Sequence, residues 1–318
     1  MTCRDSLAVI VVNWNSGRNL KRCVESLLAQ VSRPRRIIIV DNASEDDSLA
    51  SLDSLGCAVE IHRMERNLGF AAANNFALGL ASDCVWIALL NPDAFAAPDW
   101  LAQLLEAARS HPEFTFFASR MLSNAAPTLL DGAGDVYHFT GLAWRRGHGR
   151  SAGARYLQWD EVFSACAGAA LYHRDALLDI GGFDESFFCY VEDVDLGFRL
   201  RLRGHRCLYV PVAVVHHVGS ASTGKGSDLS VYYGHRNLIW AFFKNMPALL
   251  LAAFLMPHLV ANVCAIMKHV MQGQGRIAFY AKLDAMKNLR RVFEQRKHVQ
   301  KARTVSAWRI AKMLNYRL

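Results

Sequence analysis

Leu7-Ala8-Val9-Ile10-Val11-Val12 is an unbroken apolar run that stops at the polar turn Asn13-Trp14-Asn15-Ser16-Gly17. Apolar residues without polar alternation mark a strand covered on both faces, and such strands belong to sheets with helices above and below. The device recurs: Ile37-Ile38-Ile39-Val40 ends in Asp41-Asn42-Ala43-Ser44, and Val85 to Leu90 ends in Asn91-Pro92-Asp93. A weaker run, Ala58 to Ile61, precedes Asn67-Leu68-Gly69. Between these runs, Leu20, Val24, Leu27 and Leu28 predict a helix over Arg18 to Gln30. Ser44 with Asp47 predicts a helix start leading to Leu49, Leu52 and Leu55, and an Ala-rich helix is expected from Phe70 to Leu80. Pro98 is expected in the first turn of the next helix, where its missing N–H is harmless. Strands alternating with helices predict an α/β fold with a mostly parallel central sheet.

In such sheets ligands bind beyond the carboxyl ends of the strands. Four polar clusters sit at four consecutive strand ends: Asn13 to Asn15, Asp41, Asn67 and Asp93. Ser123 to Asp160 is rich in Gly, Arg and aromatics, lacks periodicity, and reads as loops over the site. Regular structure is expected again at Ala167 to Tyr172, after Arg174, and in a helix from about Glu192 to Arg203 that Gly204 stops. Cys207 to Val210 and Val212 to His216 read as the final strands. The helix from Glu192 opens with three carboxylates, Glu192, Asp193 and Asp195, behind Phe187-Phe188-Cys189-Tyr190. One acid suited to metal or phosphate chemistry and another suited to proton abstraction is what a sugar-nucleotide transferase requires.

The 52% apolar content is unevenly spread. Pro247 to Met267 is almost continuously apolar, broken by Pro257, His258 and Asn262 and flanked by Lys244 and Lys268. At about 21 residues it is near the length that spans a bilayer, and its prolines suit an embedded or interfacial hairpin equally well. From Lys268 onward 13 Lys or Arg face only Asp284 and Glu294, so of the net +8 the first 267 residues carry −3. An apolar stretch followed by a basic one suits an anionic membrane surface. Nucleic acid is disfavoured, because aromatic positions in the tail are sparse and no nucleic-acid module is recognisable. A buried core helix or a homo-oligomer contact is the other use for the apolar stretch. Eight scattered cysteines read as free thiols, and Leu7 to Val12 is too short for a secretory leader, so the body is expected in the cytoplasm.

Six motifs occur in order: Val11-Val12-Asn13-Trp14-Asn15, Val40-Asp41-Asn42-Ala43-Ser44, Asn67-Leu68-Gly69-Phe70, Asn91-Pro92-Asp93, Gly181-Gly182-Phe183-Asp184 and Glu192-Asp193-Val194-Asp195-Leu196. From about Leu7 to Asn245 the chain thereby resembles the family 2 inverting glycosyltransferases of GT-A fold, and within them the rhamnosyltransferase-like branch. The resemblance implies a nucleotide-diphospho-sugar donor, Mg²⁺ or Mn²⁺, and direct displacement at the anomeric carbon. It implies that Asp41 binds the nucleobase edge and that Asn15, Asn67 and Asn74 help line the nucleotide pocket. Asp93 would hold the cation; the usual acidic pair is here Asn91 and Asp93, so one ligand alone is anionic. His217, followed by Gly219-Ser220-Ala221-Ser222, would complete the cation site, and Arg236 would grip phosphate. Asp193 would be the general base, with Glu192 and Asp195 as supporting acids whose negative charge raises its pKa; helix capping is the structural use of the same residues.

The expected organisation is a GT-A domain over 1–245 and a hydrophobic, then basic, helical membrane-associating region over 246–318. The expected reaction moves L-rhamnose from dTDP-rhamnose onto a polyprenyl-linked or other cell-surface glycan. It would take place at the cytoplasmic face of the inner or plasma membrane, with the protein peripheral or monotopic. A UDP-hexose or galactofuranose transferase and a non-catalytic nucleotide-sugar-binding scaffold are the alternatives. A nucleotidyltransferase would need a Gly-rich basic loop after the first strand, which Asn13-Trp14-Asn15-Ser16-Gly17 is not.

Overall fold

Leu7–Asn13 (β1) is buried at every position. In the computed structural model, which describes residues 6–52, 59–219 and 226–317, it pairs in parallel with Arg36–Asp41 (β2), from Ala8↔Arg36 to Asn13↔Asp41. Glu60–Arg63 (β3) extends the parallel half beyond β2, and Trp86–Leu90 (β4) joins β1 on its other side. Then come Ala94–Ala96 (β5), Phe116–Ser123 (β6), Leu130–Gly132 (β7), Asp135–Tyr137 (β8), Ala143–Arg145 (β9), Asp160–Val162 (β10), Ala169–His173 (β11) and Cys207–His217 (β12). The sheet runs β10-β12-β6-β11-β4-β1-β2-β3, with β5 on β12 and β7 on β6, while β8 and β9 form a separate hairpin. Along that order β11 and β10 are reversed and the other six strands share one direction. The sheet is therefore mixed but mostly parallel.

Alternate residues of β1 serve opposite faces. Leu7, Val9 and Val11 pack with Leu20, Val24 and Leu27 of Arg18–Leu28 (α1), and with Trp100 and Leu104 of Trp100–Ser110 (α3). Ala8, Ile10 and Val12 pack with Ala71 and Leu78 of Gly69–Leu80 (α2), and with Leu196 and Leu200 of Glu192–Leu202 (α5). Arg174–Asp179 (α4) lies on that second face through Ala176 and Leu177. Each such aliphatic side chain removed from water contributes roughly 1.5–3 kcal/mol, so the two helix layers keep both faces of β1 from water.

Five helices close the chain: Asp228–Asn245 (α6), Ala248–Met271 (α7), Gly275–Lys287 (α8), Leu289–Ala302 (α9) and Ala307–Met313 (α10). Residue 245, the expected domain boundary, is the last residue of α6 and fully buried. One core joins the two sides of it, with Tyr137, Phe163, Val194, Phe198 and Phe242 against Leu250, Val305, Ile310 and Leu314. Among the described residues α7 is the one helix long and apolar enough to cross a membrane, and little of it is buried. Its His258 is an exception: it stacks on Phe242 at 3.8 Å and donates from Nδ1 to the Thr140 carbonyl at 2.7 Å.

Several local expectations differ from the structure. Residues 44–52 form turns and a short 3₁₀ segment instead of an α-helix, because the Ser44 and Ser48 hydroxyls are engaged by Asn13 at 3.1 and 2.9 Å; Leu55 lies outside the described residues, as do Ala58 and Ser220 to Ser222. Pro98 precedes α3 by two residues, with Asp99 at the cap. The two expected final strands are one, β12, whose register against β6 shifts between Val210 and Val214 around Pro211. The segment read as loops contains β7, β8 and β9, strands of three residues each, too short to show periodicity.

Candidate active site

Because β1, β2, β3 and β4 are parallel, their carboxyl ends share one rim of the sheet. Two of the turns there are stitched to each other. Asn13 Nδ2 donates to Asp41 Oδ1 at 2.7 Å, and Asp41 Oδ2 accepts the Ser44 amide at 3.2 Å. Asn15, at φ 48°, accepts the Glu45 amide on Oδ1 at 2.8 Å. Asn74 is buried inside α2 and donates to the Phe70 carbonyl at 2.8 Å. Next along the rim is Asn67, whose Oδ1 accepts the Gly69 amide at 2.8 Å. Gly69 has φ +83°, and a Cβ there would stand 2.5 Å from the Phe188 ring, so glycine is what lets α2 begin against that residue.

The cation candidates meet through strand pairing. His217 closes β12 opposite Ala94 of β5, and the Val218 amide donates to the Asp93 carbonyl at 3.0 Å. The His217 imidazole is buried, with Nδ1 2.8 Å from Asp131 Oδ2 and Nε2 3.1 Å from Asp93 Oδ1. Nδ1 donates to the Asp131 carboxylate, and Nε2 faces the Asp93 carboxylate as an ion-pair contact. Burial pulls the His217 pKa down, but Asp131 and then Asp93 outweigh it and hold it above the ordinary imidazole value. Asp131 also pairs with Arg145. Burial opposes ionisation of Asp131, yet His217 and Arg145 bring its pKa down to about 2.

A carboxylate beside an imidazole nitrogen whose ring a second carboxylate orients fits a divalent cation. Among the described residues no three His, Cys, Asp or Glu converge as a protein-only site. Asp93 and His217 would hold a cation only together with oxygens that the protein does not supply.

The acids of α5 part company. Asp195 is fully buried and bonded to Arg199 at 2.8 Å, Lys244 at 2.7 Å and Asn245 at 2.7 Å, a lock between α5 and α6. Glu192 is buried with no partner at Oε2, and burial first, then Asp193, raises its pKa well above the usual carboxylate range. Asp193 is half-buried, with Oδ2 accepting the Ala167 amide at 3.2 Å.

One cleft of about 710 Å³ is lined by Asn67, Asp93, Glu192, Asp193 and His217. Asn15, Asp41, Asn74, Asp195 and Arg236 are not in its described lining. Arg236 reaches the Ser186 and Phe187 carbonyls at 3.2 and 3.1 Å, with its guanidinium 4.1 Å from the Trp240 ring. The cleft also takes Trp14 and Asn42, from strand-end turns the sequence marked, and Asp135, Trp144, Arg145 and Tyr233, which the sequence did not single out for a site. Asp135 is buried, accepts the Ser164 hydroxyl at 3.0 Å, and is raised by burial and then by Asp193. The readable signal for these was Asp131 and Asp135 framing Gly132-Ala133-Gly134, two acids on a Gly-rich turn, obscured by missing periodicity.

The fold is that of a glycosyltransferase of GT-A architecture. The sequence pattern of glycosyl transferase family 2 matches residues 8–181, over half of the chain, and the chain belongs to that family. The N-acetylglucosaminyl-diphospho-decaprenol L-rhamnosyltransferase of Mycobacterium tuberculosis is 29% identical over 248 residues, 70% of this chain and 78% of that protein. Of solved structures, mannosyltransferase PcManGT from Pyrobaculum calidifontis, in complex with GDP-Man and Mn²⁺, aligns with TM-score 0.55 at 16% identity over 93% of this chain and 85% of its own. GalNAc-T7 with UDP, GalNAc and Mn²⁺ aligns with TM-score 0.59 at 17% identity over 75% of this chain and 48% of its own. At those identities the likeness speaks for the fold.

Proposed function

We propose that the protein transfers L-rhamnose from dTDP-rhamnose, with inversion, to a saccharide carried on polyprenyl diphosphate, such as N-acetylglucosaminyl diphosphate. The observation that carries this reading is the meeting of Asp93, His217, Glu192 and Asp193 in one cleft. Asp193 is the base: it is the least buried of the three α5 acids and it lines the cleft. Its carboxylate takes the acceptor hydroxyl proton as that oxygen bonds to the anomeric carbon. The bond from that carbon to the donor phosphate breaks, and the diphosphate leaves with the electron pair. Such proton abstraction is worth about 10²- to 10⁴-fold in rate. Asp93 and His217 Nε2 would hold Mg²⁺ or Mn²⁺, which supplies charge stabilisation to the departing diphosphate. Asn67 borders the nucleotide. Asp41, Asn15 and Asn74 support its pocket from behind, and Arg236 and Asp195 support the acid loop.

The rhamnosyl choice follows the mycobacterial relative; a UDP-linked hexose or galactofuranose is the competing donor. The acceptor class follows from that relative and from α7, whose exposed apolar side chains suit a membrane interface. Residues 246–318 would then be a monotopic membrane region at the cytoplasmic face of the inner or plasma membrane. Calorimetry across dTDP-, UDP- and GDP-sugars with Mn²⁺, with assay of nucleoside diphosphate release, tests the donor. Tightest binding and release with dTDP-rhamnose is the expected result; preference for a UDP-sugar sinks the rhamnosyl assignment. Asp193→Asn should lower transfer by at least about 10²-fold with donor affinity retained, and a fully active variant removes Asp193 as base.

A further inference from the structure

Between the 3₁₀ turn Glu185–Phe187 and the start of α5, the backbone takes an uncommon path. Phe188, Tyr190 and Val191 have φ of 65°, 63° and 68°. None is glycine, and for a β-branched residue such as Val191 the left-handed region is a genuine outlier. Left to itself the segment would relax, and the residues that follow it directly are Glu192 and Asp193. Something must over-determine this conformation, and such outliers gather at functional sites.

The main holding group is one side-chain amide, beside the Arg236 contacts to the Ser186 and Phe187 carbonyls. Asn237, in the middle of α6, is fully buried. Its Nδ2 lies 2.9 Å from the Phe187 carbonyl, 2.9 Å from the Cys189 carbonyl and 2.7 Å from the Tyr190 carbonyl. Its Oδ1 is held in turn by Arg236 Nε at 2.9 Å, which sets the amide's orientation. An amide nitrogen has two hydrogens, so three carbonyl oxygens converge on one donor and turn the segment around it. Opposite, the Ala71 amide donates to the Phe188 carbonyl at 3.2 Å. α6 itself is braced by the C-terminal helices: Trp240 Nε1 donates to the Ala285 carbonyl at 3.1 Å, and Arg296 donates to the Met246 carbonyl at 2.6 Å.

We propose that Asn237 is a positioning residue for Asp193: it holds the left-handed 188–191 segment in place and so aims the carboxylate into the cleft, and the C-terminal helices hold Asn237. This rests on the reading of Asp193 as base. The role is a polar one, so the informative variant is Asn237→Asp, which keeps the shape but sets an acceptor against three carbonyl oxygens.

The test uses the full-length protein, dTDP-rhamnose with Mn²⁺, and a short-chain polyprenyl diphosphate-linked N-acetylglucosamine. N237D should lower kcat by about 100-fold, the scale of a displaced general base, while donor KM and calorimetric dTDP affinity stay within about 3-fold. In an Asp193→Asn background the same substitution should cost less than about 3-fold more, since a residue acting through Asp193 has nothing left to aim. Hydrogen exchange should quicken at amides 188–194 and stay unchanged in β1 and β4. A folded N237D enzyme with kcat within 3-fold of the parent overturns the proposal, as does equal loss of dTDP affinity and turnover. So does full additivity with Asp193→Asn. Should N237D not fold, Asn237→Ser, which keeps one donor, is read by the same measurements against the same limits. A fully active Asp193→Asn enzyme would remove the underlying reading, whereas an inactive one beside a fully active N237D removes the positioning role alone.

Discussion

His217 shows how much one side chain's surroundings decide. The imidazole could face a cation with either nitrogen, and Asp131 settles which by accepting from Nδ1 at 2.8 Å. Partners of this kind typically govern metal affinity by about 10- to 100-fold. Asp131→Asn is therefore expected to weaken Mn²⁺ binding in the presence of dTDP by about that factor, read by electron paramagnetic resonance, with metal-free dTDP binding little changed. Unaltered Mn²⁺ affinity would take Asp131 out of the cation site. Glu192 and Asp135 differ from Asp193 in the same way, by environment. Both are buried and raised, whereas Asp193 stands half-buried at the cleft with a backbone amide on each oxygen.

Among the secondary elements, α6 connects most of the molecule. Its Leu229, Tyr233 and Leu238 line the cleft, Asn237 holds the loop before α5, and Lys244 pairs with Asp195 and Asp184. Burial would raise Asp184, but Lys244 outweighs it and the carboxyl lies well below its ordinary range. α8 docks on α6 through a costlier contact. Lys282 is buried, donates to Asn262 Oδ1 and to the His235 carbonyl, and burial lowers its pKa to about 7. Between about pH 7 and the ordinary 10.5, the unfolded chain binds a proton that the folded chain lacks. Stability from this group therefore rises with pH through that window, and the full penalty applies below it. Thermal melts should show Lys282→Met gaining least at pH 9.5 and most at pH 7 relative to the parent. A difference independent of pH would mean Lys282 stays charged in the fold.

Across the whole molecule, the C-terminal helices serve two ends. Val305, Ile310 and Leu314 complete a core with Tyr137 and Phe198, while Met256, Val260, Val263 and Met267 of α7 point outward. Truncation after Asn245 would strip that exposed apolar face and open that core together, so it cannot separate the two. Replacing those four α7 residues with Ser should abolish sedimentation with anionic vesicles and leave the melting temperature within a few degrees. Continued sedimentation of the folded variant would remove α7 as the membrane contact. Weaker vesicle binding at high salt is expected as well, since the basic tail acts through screened charge.

Local pattern carried a large part of the molecule. Unbroken apolar runs suffice for β1, β2 and β4, because strands covered on both faces leave no other composition; helical spacing suffices for α1, and the acidic start with the Gly204 stop marks α5. Parallel strands ending at or just before Asn13, Asp41 and Asp93 also put polar groups at one rim on pattern alone. What local pattern could not carry was which polar end faces the cleft and which stitches the scaffold. Asp41 and Asp195 look as reactive as Asp93 and Asp193 in one dimension; Asn13 and Lys244 occupy them in three. The partners of His217, the approach of Arg145 and Asp135, and the grip of Asn237 on residues some 50 positions earlier are contacts between segments far apart in the chain. Packing brings those segments together, and no periodicity within a single segment encodes it.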